Sequence, residues 1–160
     1  MNLKEAKAIT GGLSSPSKMP GYAYNLPAWE CVTGVKLQAV EGSVCSGCYA
    51  MTGRYRFTNV KEALTRRLES LDHPEWVEAM TVLVSHYSRK VPFFRWHDSG
   101  DLQGAEHLKK IFEVCTVVTH DSPNYGATKR LCPAQDQGNE CGSCRTCWNK
   151  EVSNVAYPLH

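Results

Sequence analysis

The chain holds eight cysteines in 160 residues, and seven of them fall into two spaced groups. Cys132, Cys141, Cys144 and Cys147 read C-x8-C-x2-C-x2-C, and Cys31, Cys45 and Cys48 read C-x13-C-x2-C. Four thiolates can hold one metal centre. Two successive C-x2-C steps put three sulfurs on one tight loop, which suits three corners of a [4Fe–4S] cubane. Gly142 and Ser143 let that loop curl and leave N–H groups to point at cluster sulfurs. The same four residues could form a tetrahedral zinc site, whose binding free energy would add to folding. Zinc sites usually pair two separate knuckles, so the spacing favours iron and sulfur and keeps zinc as the alternative.

In the N-terminal trio, three thiolates leave one corner of a cubane open, so one iron could take an outside ligand, as a catalytic cluster needs. The plainer reading makes Cys31 a small buried residue and Cys45 with Cys48 half of a site completed from the other end of the chain. Cys115 sits on the apolar face of its helix and reads as core. A third candidate is FFRWHDSGD, where an apolar run ends in His97, Asp98, Ser99, Gly100 and Asp101. Polar residues at the C-terminal edge of a parallel strand are where ligands bind in α/β proteins. One of them must cap the next helix, but five exceed what a cap requires. His97, Asp98 and Asp101 are the candidates for chemistry there, with His97 or Asp101 as the contact residue.

These residues need elements to position them. Residues 1–30 carry Gly11-Gly12, Ser14-Ser15-Pro16, Pro20-Gly21 and Pro27, a density of turn formers that predicts an irregular arm laid on the domain by Tyr22, Tyr24, Leu26 and Trp29. Residues 59–72 predict a helix capped by Thr58 or Asn59, with Glu62 at capping-box spacing and Arg66 and Arg67 in solvent. A second helix is predicted from about Pro74 to Arg89 with Trp76, Val77, Met80, Leu83, Val84 and Tyr87 inward. Residues 91–96 predict a buried strand. Residues 101–115 predict a helix with Leu108, Ile111, Phe112 and Cys115 inward, and 116–119 a further strand, completing a parallel βαβ unit. Residues 121–160 lose periodicity, so an irregular cysteine-rich, cluster-binding segment follows an α/β core over 31–120.

Length argues for one domain, which needs no staples to be stable. A formal charge of +2 is too balanced to predict nucleic-acid or membrane binding. No apolar stretch reaches membrane-spanning length, and the first residues lack a secretory signal's apolar middle, so a cytoplasmic protein is expected. In that compartment thiols stay reduced, which favours metal ligands over disulfides.

The order of a cysteine trio ending C-x2-C plus an aromatic, a helix, and a strand ending in a glycine-acid turn resembles the first half of radical S-adenosylmethionine enzymes. The resemblance implies that Cys31, Cys45 and Cys48 hold a [4Fe–4S] cluster beside Tyr49. It also implies that Ser99, Gly100 and Asp101 stand where that superfamily contacts the cofactor's amino group. C-x13 departs from the usual C-x3, and the chain has room for half a barrel at most. Cys132-Pro133 is similar to the Cys-Pro of the bacterial ferredoxin run, with the order altered. More closely, CYA, FRWHDSGD and the closing CPA…CGSCRTCW resemble the phage-encoded gene product 88 family over nearly the whole chain. That implies a viral protein in the host cytoplasm carrying one or two clusters, with a redox partner or a small-molecule substrate. The rival expectation is a zinc-stabilised binding module, with Lys129, Arg130, Arg145 and Lys150 on phosphates and Tyr125 or Trp148 on a base. Exposed edges in so small a sheet favour self-association.

Overall fold

The computed structural model describes residues 1–18, 21–89, 94–119, 129–131 and 154–156. The chain opens with helix α1, Leu3–Thr10. Asn2 accepts from the amides of Lys4 (2.9 Å) and Glu5 (3.0 Å), and the Glu5 carboxylate accepts from the Asn2 amide (2.9 Å), a complete capping box. Gly11 ends the helix at φ 72°. Strand β1, Tyr22–Tyr24, then enters the centre of the molecule. The irregular arm expected over residues 1–30 is therefore corrected. A capping box supplied the helix start, and burial of Tyr24 and Leu26, both fully inaccessible, outweighed the turn formers around them.

Strand β2, Phe94–Trp96, pairs in parallel with β1, register Tyr22↔Phe94 to Tyr24↔Trp96. Parallel neighbours need a long crossover. Here it contains α2 (Gly34–Gln38), α3 (Thr58–Ser70) and α4 (Trp76–Ser88). Helix α5, Ala105–Thr119, follows β2. Tyr24, Leu26, Leu71, Trp76, Met80, Val84, Ile111 and Val114 form the main core, while Ala6 of α1 packs on Ala79 and Leu83 of α4.

Helix α5 corrects the expected βαβ unit. It starts at Ala105, because 101–104 is spent on the turn, and it runs through 116–119, where a strand was expected. The β-branched Thr116 is accommodated by donating its Oγ1 to the Phe112 carbonyl one turn back (2.8 Å). The stripe His107, Ile111 and Val114 is buried, and that packing overrides local strand preference. Phe112, expected inward, is 62% exposed. β2 takes its partner from the N-terminal residues instead.

Two further expectations are corrected on α3. Its first residue is Thr58, after Phe57, and no side chain caps it. Arg67 is buried, and its Nε donates to the Gly12 carbonyl at 2.9 Å. Burial pushes its pKa down, and the negative end of the Tyr24 hydroxyl partly offsets this. Strands β3, Lys129–Leu131, and β4, Asn154–Ala156, form a second parallel pair. The described fold is thus mixed helix and strand, with small two-stranded parallel sheets and flanking helices. Among the described residues no helix is long and apolar enough to cross a membrane.

Candidate metal centre and strand-end turn

Cys31 closes the 3₁₀ turn Ala28–Glu30, and its carbonyl accepts from the Val35 amide (3.2 Å) as α2 begins. Gly34 lies between two thiols. A Cβ there would stand 2.9 Å from Cys31 Cβ and 3.6 Å from the sulfurs of both Cys31 and Cys45. The sulfurs of Cys31 and Cys45 are thus no farther apart than twice 3.6 Å, and only a residue without a side chain fits between them. Cys48 follows through a turn in which its amide donates to the Cys45 carbonyl (3.3 Å). All three cysteines are half-buried and free of disulfides. Burial pushes the Cys31 thiol pKa up, and the negative charges of Asp101, Cys48 and Cys45 add to that. Without a cation, Cys31 is therefore held as the thiol; a bound metal would reverse that balance. Among the described residues, no three His, Cys, Asp or Glu side chains converge tightly enough to hold a single metal ion.

The strand-end turn faces this loop. The His97 amide donates to the Tyr24 carbonyl (3.0 Å), the Asp98 amide to Asn25 Oδ1 (3.1 Å), and the Leu26 amide to the Ser99 carbonyl (3.0 Å). The sheet contacts therefore continue past the strands. Ser99 is buried and spends its hydroxyl on the Leu26 carbonyl (3.1 Å). A Cβ on Gly100 would lie 2.4 Å from that same carbonyl oxygen, and its φ is 73°. Asp101 is exposed and accepts from the Leu102 amide (2.7 Å). From the cysteine side, the Tyr49 hydroxyl donates to the Asp98 carbonyl, and Tyr55 stacks edge-on against Tyr49 at 6.0 Å. Burial raises both tyrosine pKa values, and the nearby Asp98 carboxylate raises them further.

The turn's own side chains are under-partnered. His97 has φ 59°, a conformation that costs free energy in any residue with a side chain. Among the described residues, both its ring nitrogens, Asp98 Oδ1 and His107 Nε2 are buried without hydrogen-bond partners. Burial depresses the His97 pKa against the pull of Asp101, and it depresses His107 to about 4, with His97 and Lys110 adding to the effect. Both imidazoles are neutral at pH 7. His107 Nδ1 accepts from the Gln103 amide (3.3 Å), so its proton sits on Nε2, an N–H with no acceptor among the described residues. The two rings lie 5.4 Å apart, edge to face. Burial raises the Asp98 pKa, opposed first by Arg95.

Residues 1–129 match the profile of a protein family described as Gene product 88. The chain belongs to the gene product 88 family. No curated protein matches it, and no solved structure does. The gene product 88 match takes in the cysteine trio, Tyr49, the 97–101 turn and His107. It stops short of the four C-terminal cysteines, so the motif CPA…CGSCRTCW lies beyond the matched region and is not part of the likeness shown.

Of the residues the sequence singled out, this gene product 88 chain gathers Cys31, Cys45, Cys48, Tyr49, His97, Asp98, Ser99, Gly100 and Asp101 around one turn. Ser99 and Gly100 are spent on packing against Leu26, which leaves Asp101 as the member of the glycine-acid motif open to a ligand. Cys115 packs against the core. Cys132, Cys141, Cys144 and Cys147 lie outside the described residues. Sequence reading missed Gly34, Tyr55 and His107. His107 had a usable signal, since it stands four and seven residues before Ile111 and Val114 on one helical face. Gly34 and Tyr55 had none, because their contacts cross between separate turns.

Proposed function

We propose that this protein binds a [4Fe–4S] cluster through Cys31, Cys45 and Cys48 and works in electron transfer or reductive chemistry, in the reducing cytoplasm of a host cell. The observation that carries the reading is the placement of the Cys31 and Cys45 sulfurs about Gly34, with Cys48 and Asp101 within electrostatic reach. The spacing of the three cysteines is what favours a cluster, with three thiolates as its protein ligands. Such a centre supplies one electron at a time and, with three protein ligands, an iron open to an outside ligand. Cys132, Cys141, Cys144 and Cys147 would hold a second cluster, or zinc.

The finer reading is a reduced radical S-adenosylmethionine core. Its support is the parallel β1–β2 pair followed by the 97–101 turn beside the thiols. In that case Asp101 would accept from the cofactor's amino group, and Tyr49 would hold the cysteine loop to the turn.

The test is iron and acid-labile sulfide content after oxygen-free purification, with Mössbauer spectra recorded with and without S-adenosylmethionine. A brown protein with equimolar iron and sulfide supports the cluster, and loss of that colour in Cys45→Ser assigns it to the trio. A colourless protein containing zinc refutes it. A spectrum unchanged by S-adenosylmethionine removes the enzymatic version and keeps the redox one.

A further inference from the structure

Gly34 opens α2, and its backbone keeps the right-handed conformation of that helix. Conformation alone therefore does not require glycine there, and in a helix alanine is the better residue. Crowding is what excludes a side chain. A Cβ would stand 2.9 Å from Cys31 Cβ, too close for two carbons that are not bonded, and 3.6 Å from the sulfurs of both Cys31 and Cys45. Gly47, inside the Cys45–Cys48 turn, gives the contrast: its φ is not left-handed either, yet a Cβ there would meet nothing within 4 Å. The restriction at residue 34 thus comes from the thiol-bearing residues themselves.

A methyl group at residue 34 would have to be relieved at Cys31, because a Cβ moves only with its backbone. That backbone is held on both sides: the Cys31 amide donates to the Ala28 carbonyl (3.4 Å), and the Cys31 carbonyl accepts from the Val35 amide (3.2 Å). A shift there carries the Cys31 sulfur with it and changes its distance from Cys45. Binding constellations tolerate displacements of about 0.5 Å. Opening the contact from 2.9 Å to 3.4 Å, where ordinary van der Waals contact begins, takes a displacement of that size.

We propose that Gly34 is a positioning residue for the metal centre of the N-terminal cysteines: its missing side chain lets the Cys31 and Cys45 thiols stand against the start of α2 at the separation one centre needs. This rests on the cluster reading. A purely structural role, letting α2 pack on the 3₁₀ turn Ala28–Glu30, would act with or without metal, and that difference separates the two.

Gly34→Ala, Val35→Ala, Cys45→Ser and the unmodified full-length chain are loaded anaerobically with ferrous iron and sulfide, and the iron that Cys45→Ser fails to hold is assigned to the trio. Gly34→Ala should hold none of that iron, or lose it to a ferrous chelator at least about tenfold faster than the unmodified chain. Val35→Ala, an exposed neighbour on the same helix, should release it at the unmodified rate. In the metal-free proteins the urea midpoint of Gly34→Ala should equal that of the unmodified chain, because residues 32–49 contain no buried side chain and add little to global stability. Equal iron release from Gly34→Ala and the unmodified chain overturns the proposal. So does a lowered metal-free midpoint in Gly34→Ala, since the glycine would then serve packing. If Cys45→Ser holds as much iron as the unmodified chain, the cluster reading of the trio fails instead, and residue 34 is judged with Co²⁺ alone. A thiolate-to-cobalt absorption band that Cys45→Ser lacks and Gly34→Ala weakens then supports the positioning role, and any other pattern overturns it.

Discussion

The hydroxyl of Tyr24 lies 2.9 Å from the Thr10 carbonyl, 3.0 Å from the Arg67 carbonyl and 2.9 Å from Ser70 Oγ, and it accepts from Trp76 Nε1 at 3.2 Å. One atom thus ties the end of α1, the last turn of α3 and the start of α4 to β1. Tyr24→Phe leaves the Trp76 donor without an acceptor in a closed core and should cost about 1–3 kcal/mol, read from urea denaturation. Glycine positions separate strain from collision. Gly12 and Gly100 share a left-handed φ, of 78° and 73°, but only Gly100 has backbone atoms in the way. Gly12→Ala should therefore cost about 1–2 kcal/mol, and Gly100→Ala clearly more in the same assay. His107 gives a pH signature. Its folded pKa of about 4 lies below the ordinary value of 6.5, so between those values the unfolded chain binds the extra proton. The stability due to neutral His107 is present above about pH 6.5 and is lost as pH falls toward 4, on the order of 1–3 kcal/mol. His97 acts in the same direction and Asp98 in the opposite one, so the decisive comparison is with His107→Gln, whose urea midpoint should fall less between pH 7 and 5.

The helices α3 and α4 lie where the apolar period put them, although their ends differ: Thr58–Ser70 against 59–72 and Trp76–Ser88 against 74–89. Elements departed from the sequence pattern where burial and local preference disagreed. Residues 116–119, TVVT, have a strand's composition, yet they extend α5 because the stripe ending at Val114 had already committed the chain to helix on that face. Val117 is 59% exposed. Val117→Glu should therefore change stability by less than about 0.5 kcal/mol, as an outward helical position does, whereas a core strand would lose several times that. The thermal midpoint of this variant decides between them. The N-terminal residues show the converse. Their turn formers are real, and Gly11 does terminate a helix, but turn formers report where the chain bends and not whether the pieces between bends are buried.

At the scale of the whole molecule, the cysteine loop stands apart from the packed helices. Residues 32–49 have no buried anchor, and Tyr49 ties them to the strand-end turn through the Asp98 carbonyl. Regions with few buried apolar contacts open at low free-energy cost. If a cluster is what organises the thiols, its removal by chelator and oxidant should let trypsin cut after Lys36, Arg54 and Arg56 at least about tenfold faster while α4 and α5 stay intact, a difference mass spectrometry would resolve. Equal cleavage with and without iron would show that the loop is held by the protein alone.

The sequence by itself determined the chemistry on offer. Thiol spacing, a glycine-acid turn after an aromatic strand, and two amphipathic helices are local patterns, each written within a few residues. Only the tertiary structure decided which of these meet. Parallel pairing of Tyr22–Tyr24 with Phe94–Trp96 joins segments some seventy residues apart, and no local period announces such a partner. That pairing carries Asn25 and Leu26 against residues 97–100 and so sets Asp101 beside Cys31. Long-range contacts are selected by the burial they achieve together, and burial is a property of the assembled core.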